Sequence, residues 1–201
     1  VAAAQIHMYQ KEFGQAQLKY AMLEEIAERS ENKLDARIGL MRTYFRTEAF
    51  ELADDYTQKI LRSDRVEKSL KDEANLISAK CALGMDNLDI ALAKFQQTAN
   101  QAQNVVGAEA KYGIALIHHQ RSDFEKSQET IFEMVNQFAN YENWVGKSFL
   151  LLAKNYVEQD DLFQAKLTLQ NVVDNYKDEI QKQAQAELKK IEKFEAFSNA
   201  E

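Results

Sequence analysis

Residues 160–165 read DDLFQA, two acids, a bulky apolar residue and, three positions after Leu162, an alanine. Taken alone it could be an acidic site. Yet the same hexapeptide pattern recurs as KEFGQA (11–16), EAFELA (48–53), DNLDIA (86–91) and SDFEKS (122–127). Each has Phe or Leu third and a small residue sixth. The small residues Ala16, Ala53, Ala91, Ser127 and Ala165 stand 37, 38, 36 and 38 positions apart. Near-constant spacing of this length marks repetition of one supersecondary unit.

Around each hexapeptide the apolar spacing is helical. Ahead of it ends one helical pattern, as with Met41 and Tyr44, or Ala153 and Tyr156. Behind it a second helix continues through Ala165, Leu169, Val172 and Tyr176, or Ser127, Ile131, Met134 and Phe138, in steps of four, three and four that keep one face inward. The chain has no proline and 6 glycines, so few residues break a helix. Stretches such as SFLLLAKNYV (148–157) have strand-like content, but their flanks keep the helical period. The expected fold is all-α, built of helix–turn–helix units.

Composition narrows the function. At 201 residues and 45% apolar content a packed core is affordable. The formal net charge of −7 argues against a surface that neutralises many phosphates, so nucleic acid is not an expected partner. No apolar run reaches the roughly 20 residues of a membrane span, so no direct membrane insertion is expected of this segment. The start VAAAQIHMYQ lacks both an initiator Met and a signal pattern, which reads as a piece of a longer protein.

The hexapeptides and their flanking helices resemble the tetratricopeptide repeat (TPR) family. The unit with Leu152, Ala153 and Tyr156 on its first helix and Ala165 and Leu169 on its second fits best. The resemblance implies a right-handed superhelix of antiparallel helix pairs, a TPR-like α-solenoid of about five repeats. The repeats are placed near 1–29, 30–64, 65–102, 103–139 and 140–177, within one domain spanning 1–201. A terminal helix over 178–197 either caps the array or opens a sixth unit. The units are longer than the usual ~34 residues, lack the usual proline, and carry Asp, Ser or Glu where the family has a turn glycine. These departures are similar to the divergent repeats of bacterial cell-envelope TPR proteins, which implies a periplasmic or envelope location, with cytoplasm as the alternative.

Candidate chemistry resolves into structural roles. Asp160 and Asp161 read as a helix start, where acids meet free N–H groups and the helix dipole, rather than as an acid/base pair. His118 and His119 point about 100° apart on a helix and do not share a ligand. His118 falls in a core slot with Tyr44 and Tyr156, while His119 falls on the inner face, as a partner contact or a solvated residue. Cys81, the single cysteine, reads as a buried structural thiol. Trp144 reads as helix-start packing before a binding anchor. No catalytic residue, metal site or cofactor is assigned.

The resemblance implies a non-enzymatic scaffold whose first helices line a concave groove for a protein or peptide. Carried over by register, the groove positions include Arg42, Phe45 and Arg46, then Glu73 and Lys80, then Tyr112, Leu116 and His119, and finally Lys147, Leu150 and Lys154. Arg42, Lys80, Leu116 and Lys154 form a row that is basic in an acidic chain. Either it receives an acidic segment or its members are ordinary solvated helix residues. The chaperone-tail carboxylate clamp of some TPR domains is not reproduced, because Gly39 and Gly113 stand where polar contacts are needed; these glycines are expected to leave room for a partner. A homo-oligomerisation module and a regulatory domain of a larger enzyme or transcription regulator are the alternatives.

Overall fold

The computed structural model describes residues 1–64 and 66–198. All its regular elements among these residues are α-helices, in two compact units, residues 1–101 and 102–201. The first unit holds α1 (Ala2–Tyr9), α2 (Phe13–Ile26), α3 (Ser30–Arg46), α4 (Phe50–Leu61), α5 (Lys68–Gly84) and α6 (Leu88–Gln101). The second holds α7 (Val105–Gln120), α8 (Phe124–Gln137), α9 (Glu142–Glu158), α10 (Leu162–Asn175) and α11 (Asp178–Ser198). SFLLLAKNYV lies wholly inside α9, as its flanking period required.

The hexapeptide is the joint between the two helices of a pair, and its first residue, which stands where the family has a turn glycine, takes up a glycine-like backbone conformation. Lys11, Glu48, Asp86, Ser122 and Asp160 all have positive φ, between 57° and 61°. Each N–H donates to the carbonyl three residues back, and the next N–H to the carbonyl five residues back. Asp160 N–H thus reaches Val157 O at 3.0 Å and Asp161 N–H reaches Tyr156 O at 2.8 Å. This is the Schellman ending of a helix, normally closed by glycine. Asp160 therefore terminates α9 and does not start α10. Only Asp161 starts it, with its side chain accepting from Gln164 N–H at 3.0 Å; Asp123 does the same for Lys126 N–H. The expectation that both acids of each slot serve the helix start is corrected accordingly.

The sixth residues behave as the spacing demanded: Ala16, Ala53, Ala91, Ser127 and Ala165 have no exposed surface. A methyl or hydroxymethyl at that place lets the pair close, and larger neighbours fill the space beside it. In the second unit Ala153, Ala165, Leu169 and Val172 share one cluster with Ile180, Ala184 and Ile191 of α11, with Tyr156 packed on it. Fully burying a residue such as Leu169 stabilises by about 2 kcal/mol. In the first unit Met41, Ala53, Ile60 and Cys81 form the corresponding cluster.

First helices also meet across pairs, α7 on α9 and α9 on α11. α11 thus takes a first-helix position beside α9 and α10. Its inward stripe is Ile180, Ala184 and Ile191, while Lys182, Lys189 and Lys193 face solvent. Among the described residues no helix is long and apolar enough to cross a membrane.

Candidate functional site

The first helices of each unit line a cavity, which takes in Arg42 but not Phe45, Arg46 or Lys80 of the register-predicted positions in the first unit, and Tyr112, Leu116, His119, Lys147 and Lys154 in the second. In the first unit a 420 Å³ cavity is lined by Gln5 and Met8 of α1, Asp35, Ile38 and Arg42 of α3, and Leu70 and Glu73 of α5. Arg42 does not stand alone there. Its Nε and Nη2 each donate to one carboxylate oxygen of Glu73, both at 2.7 Å. Such a fork-to-fork pair fixes the guanidinium in direction. Glu73 as hydrogen-bond partner raises the Arg42 pKa, against burial, which lowers it.

Phe45 lies half-buried between the Lys80 ammonium, 5.0 Å from its ring, and the Phe50 ring at 6.2 Å. Arg46 is exposed at the end of α3. A Cβ at Gly39 would lie 2.3 Å from the Tyr20 ring. The room left by its missing side chain is thus filled by the chain's own α2, while Gly39 and Tyr20 together line the cavity.

The second unit gathers the other candidates. Tyr112, Leu116 and His119 of α7, Lys147, Leu150 and Lys154 of α9, and Gln183 of α11 line a 210 Å³ cavity. Tyr112 and Trp144 pack with ring centroids 5.5 Å apart, and the Lys147 ammonium sits 4.0 Å over the Trp144 ring. Trp144 thus packs behind the cavity, against its lining residues Tyr112 and Lys147. Burial raises the Tyr112 pKa, so its hydroxyl stays protonated. Lys154 is exposed at the opening and, among the described residues, has no ion-pair partner.

His119 is held from behind. Its Nδ1 lies 2.7 Å from Asn155 Oδ1; Asn155 Nδ2 donates to Ser127 Oγ at 2.8 Å; Ser127 Oγ donates to the Ala115 carbonyl at 2.9 Å. Asn155 and Ser127 are completely buried. Neither was singled out for this role, although two signals were present. Asn155 stands two positions before Val157, the residue in the slot of His119 one 38-residue step on, and is the polar residue in the slot that Ile117 fills one unit earlier; and Ser127 is the one hydroxyl among the five sixth-position residues.

Burial governs two further titratable groups. Cys81 is buried and, mainly for that reason, its thiol is pushed up to about 12. His118 is half-buried, and burial lowers its pKa despite nearby Asp123. Among the described residues no three His, Cys, Asp or Glu side chains are grouped to hold a metal ion.

No protein-family model matches the sequence, and no curated protein matches it significantly. Solved structures do match the fold. YrrB, a TPR protein with an unusual peptide-binding site, is 16% identical over 92% of this chain and 88% of its own, with a TM-score of 0.62. MamA is 16% identical over 96% of both chains, TM-score 0.63. TPR-like repeats of a Podosopora anserina chain assigned as a kinesin light chain are 14% identical over 85% of this chain and 90% of theirs, TM-score 0.68. Among the described residues, eleven helices and five joints of one geometry, together with these likenesses, give the chain the all-α repeat fold of the tetratricopeptide-repeat proteins.

Proposed function

We propose that the chain is a protein-interaction scaffold, without a catalytic step of its own, that binds an acidic peptide segment on a first-helix face. The observation that carries this is the second-unit cavity. It joins an apolar floor of Leu116 and Leu150 to the Tyr112 ring and two cationic side chains, Lys147 and Lys154. Apolar floor, cationic edge and shallow concavity suit an extended peptide better than a small molecule. The first-unit face, with Arg42 tied to Glu73, has less charge to offer and serves as a secondary contact. The likeness to YrrB, which has a peptide-binding site, is in keeping with this reading.

The test is calorimetric titration with oligoglutamate and oligolysine peptides. Oligoglutamate should bind, weaken with added salt, and lose at least tenfold in affinity in the Lys147→Glu/Lys154→Glu double variant. Equal binding of both peptides, or an unchanged affinity in the variant, overturns the proposal. An envelope location rests on the proline-free, glycine-poor repeat turns and is tested by fractionating native cells.

Self-association is favoured by one separate feature. On α2 the outward positions two, six and ten residues after the small one are Leu18, Met22 and Ile26, exposed at 53%, 50% and 73%. The same positions on α4 begin with Asp55 and Lys59, on α8 they are Glu129, Glu133 and Gln137, on α6 Ala93, Gln97 and Gln101, and on α10 Leu167, Asn171 and Asn175. A stripe apolar at all three positions, where each sister helix is polar at two or more, suits a second copy. Light scattering across a concentration series decides: a monomer at every concentration removes this second reading.

A further inference from the structure

The three-residue chain behind His119 fixes which of its ring nitrogens carries the proton. A carbonyl only accepts, so the single Ser127 hydroxyl proton goes to Ala115 O. Ser127 Oγ must then accept from Asn155, which it does through Nδ2. That turns Asn155 Oδ1, an acceptor only, toward His119 Nδ1. Nδ1 therefore carries the proton. In the neutral imidazole that leaves a bare acceptor at Nε2, which has no partner among the described residues, on a ring that lines the same cavity as Lys147 and Lys154.

We infer that His119 is a specificity-determining acceptor, selecting a partner segment that carries a hydrogen-bond-donating side chain, Ser, Thr, Asn or Gln, beside its acidic residues. This rests on the acidic-peptide reading above. Lys147 and Lys154 are two helical turns apart, about 10 Å along α9. An extended peptide covers that in about three residues at ~3.3 Å each, so a four-residue segment with acids at both ends reaches both ammonium groups while presenting a donor to the cavity they share with His119. Two buried residues, Asn155 and Ser127, are positioning residues for His119. The hydroxyl of Ser127 explains why this one sixth-position residue is not alanine. A donor left facing Nε2 is satisfied, whereas an apolar side chain there strands the acceptor, and recognition built on a hydrogen bond rejects the analogue that lacks it.

The test compares the peptides acetyl-Glu-Ser-Ser-Glu-amide and acetyl-Glu-Ala-Ala-Glu-amide. Binding is followed by the fluorescence of Trp144, the single tryptophan, which packs on Tyr112 of the cavity wall. The serine peptide should bind at least fivefold more tightly, and His119→Phe should bring the two to equality. Nitrogen-15 spectra of the imidazole should show the proton on Nδ1 in the wild type. In Ser127→Ala the freed Asn155 amide can turn over, so the proton should shift toward Nε2 and the serine preference should shrink, with helical circular dichroism unchanged. Equal affinities for the two peptides in the wild type, or a proton on Nε2, overturn the inference and leave the acidic-peptide reading standing. Binding of neither peptide removes both.

Discussion

Arg42 and Glu73 face each other from α3 and α5 with two parallel bonds of 2.7 Å, and this pair neutralises the cation that opens the basic row. Their side chains retain 50% and 32% of their exposure, so solvent screens the attraction. Glu73→Gln should therefore lower the unfolding free energy by less than about 1 kcal/mol. Its effect on charge is larger: it releases Arg42, so oligoglutamate should bind this unit more tightly. Urea unfolding and the same calorimetric titration read the two effects separately, and a large stability loss with no gain in affinity would contradict both statements.

The turn residues yield a second prediction. A non-glycine residue in the left-handed region costs roughly 1–2 kcal/mol, and Lys11 and Glu48 pay it at φ 61° and 58°. Glycine removes that strain while adding some unfolded-state entropy. Lys11→Gly and Glu48→Gly should each stabilise by up to about 1 kcal/mol, and Asp160→Gly by less, because Asp tolerates this region better. Thermal melts that fall in the Lys11 and Glu48 variants would refute the assignment of strain.

How far the sequence could carry the reading follows from which contacts are local. The hexapeptide spacing placed the joints, the pairing of helices and the buried small residues, because all of these repeat at one period. The left-handed turn at Asp160 was not legible from its residue type, because acids are also good helix starters and by themselves could not separate C′ from N-cap. Gly39 was misread because its neighbour Tyr20 comes from another helix. The Arg42–Glu73 and His119–Asn155 contacts, 31 and 36 residues apart, were within reach only by reasoning from one first helix to the next. The groove register named Arg42, Glu73 and His119 singly and never paired them.

Two glycines separate packing from propensity. A Cβ on Gly14 of α2 meets nothing within 4 Å, whereas one on Gly107 of α7 would lie 1.7 Å from the Ala102 carbonyl oxygen. Gly14→Ala should thus stabilise by about 0.5–1 kcal/mol through helix propensity. Gly107→Ala forces backbone apart and should cost about 2 kcal/mol or more. Paired urea titrations with opposite signs are the expected result. Equal signs would mean that the α7 start is not packed as described.

Acid should loosen the first unit through Glu24. Burial alone would raise its pKa, but the Arg37 Nε–H and Tyr56 hydroxyl that donate to it, at 2.8 and 2.9 Å, outweigh burial and hold the carboxyl below its ordinary value. A depressed folded-state pKa means that the unfolded chain binds the proton more readily. The stabilisation is therefore present above the unfolded carboxyl pKa, near 4.3, and is lost as pH falls through the lower folded value. Glu24→Gln removes the carboxylate and leaves Arg37, whose side chain is 25% exposed, short of its partner. The variant should be less stable than the wild type at pH 7, and the gap should narrow once pH drops below about 4. Urea midpoints of both proteins measured from pH 7 to pH 3 check this, and a gap that stays constant across that range would show that the Glu24 charge does not contribute.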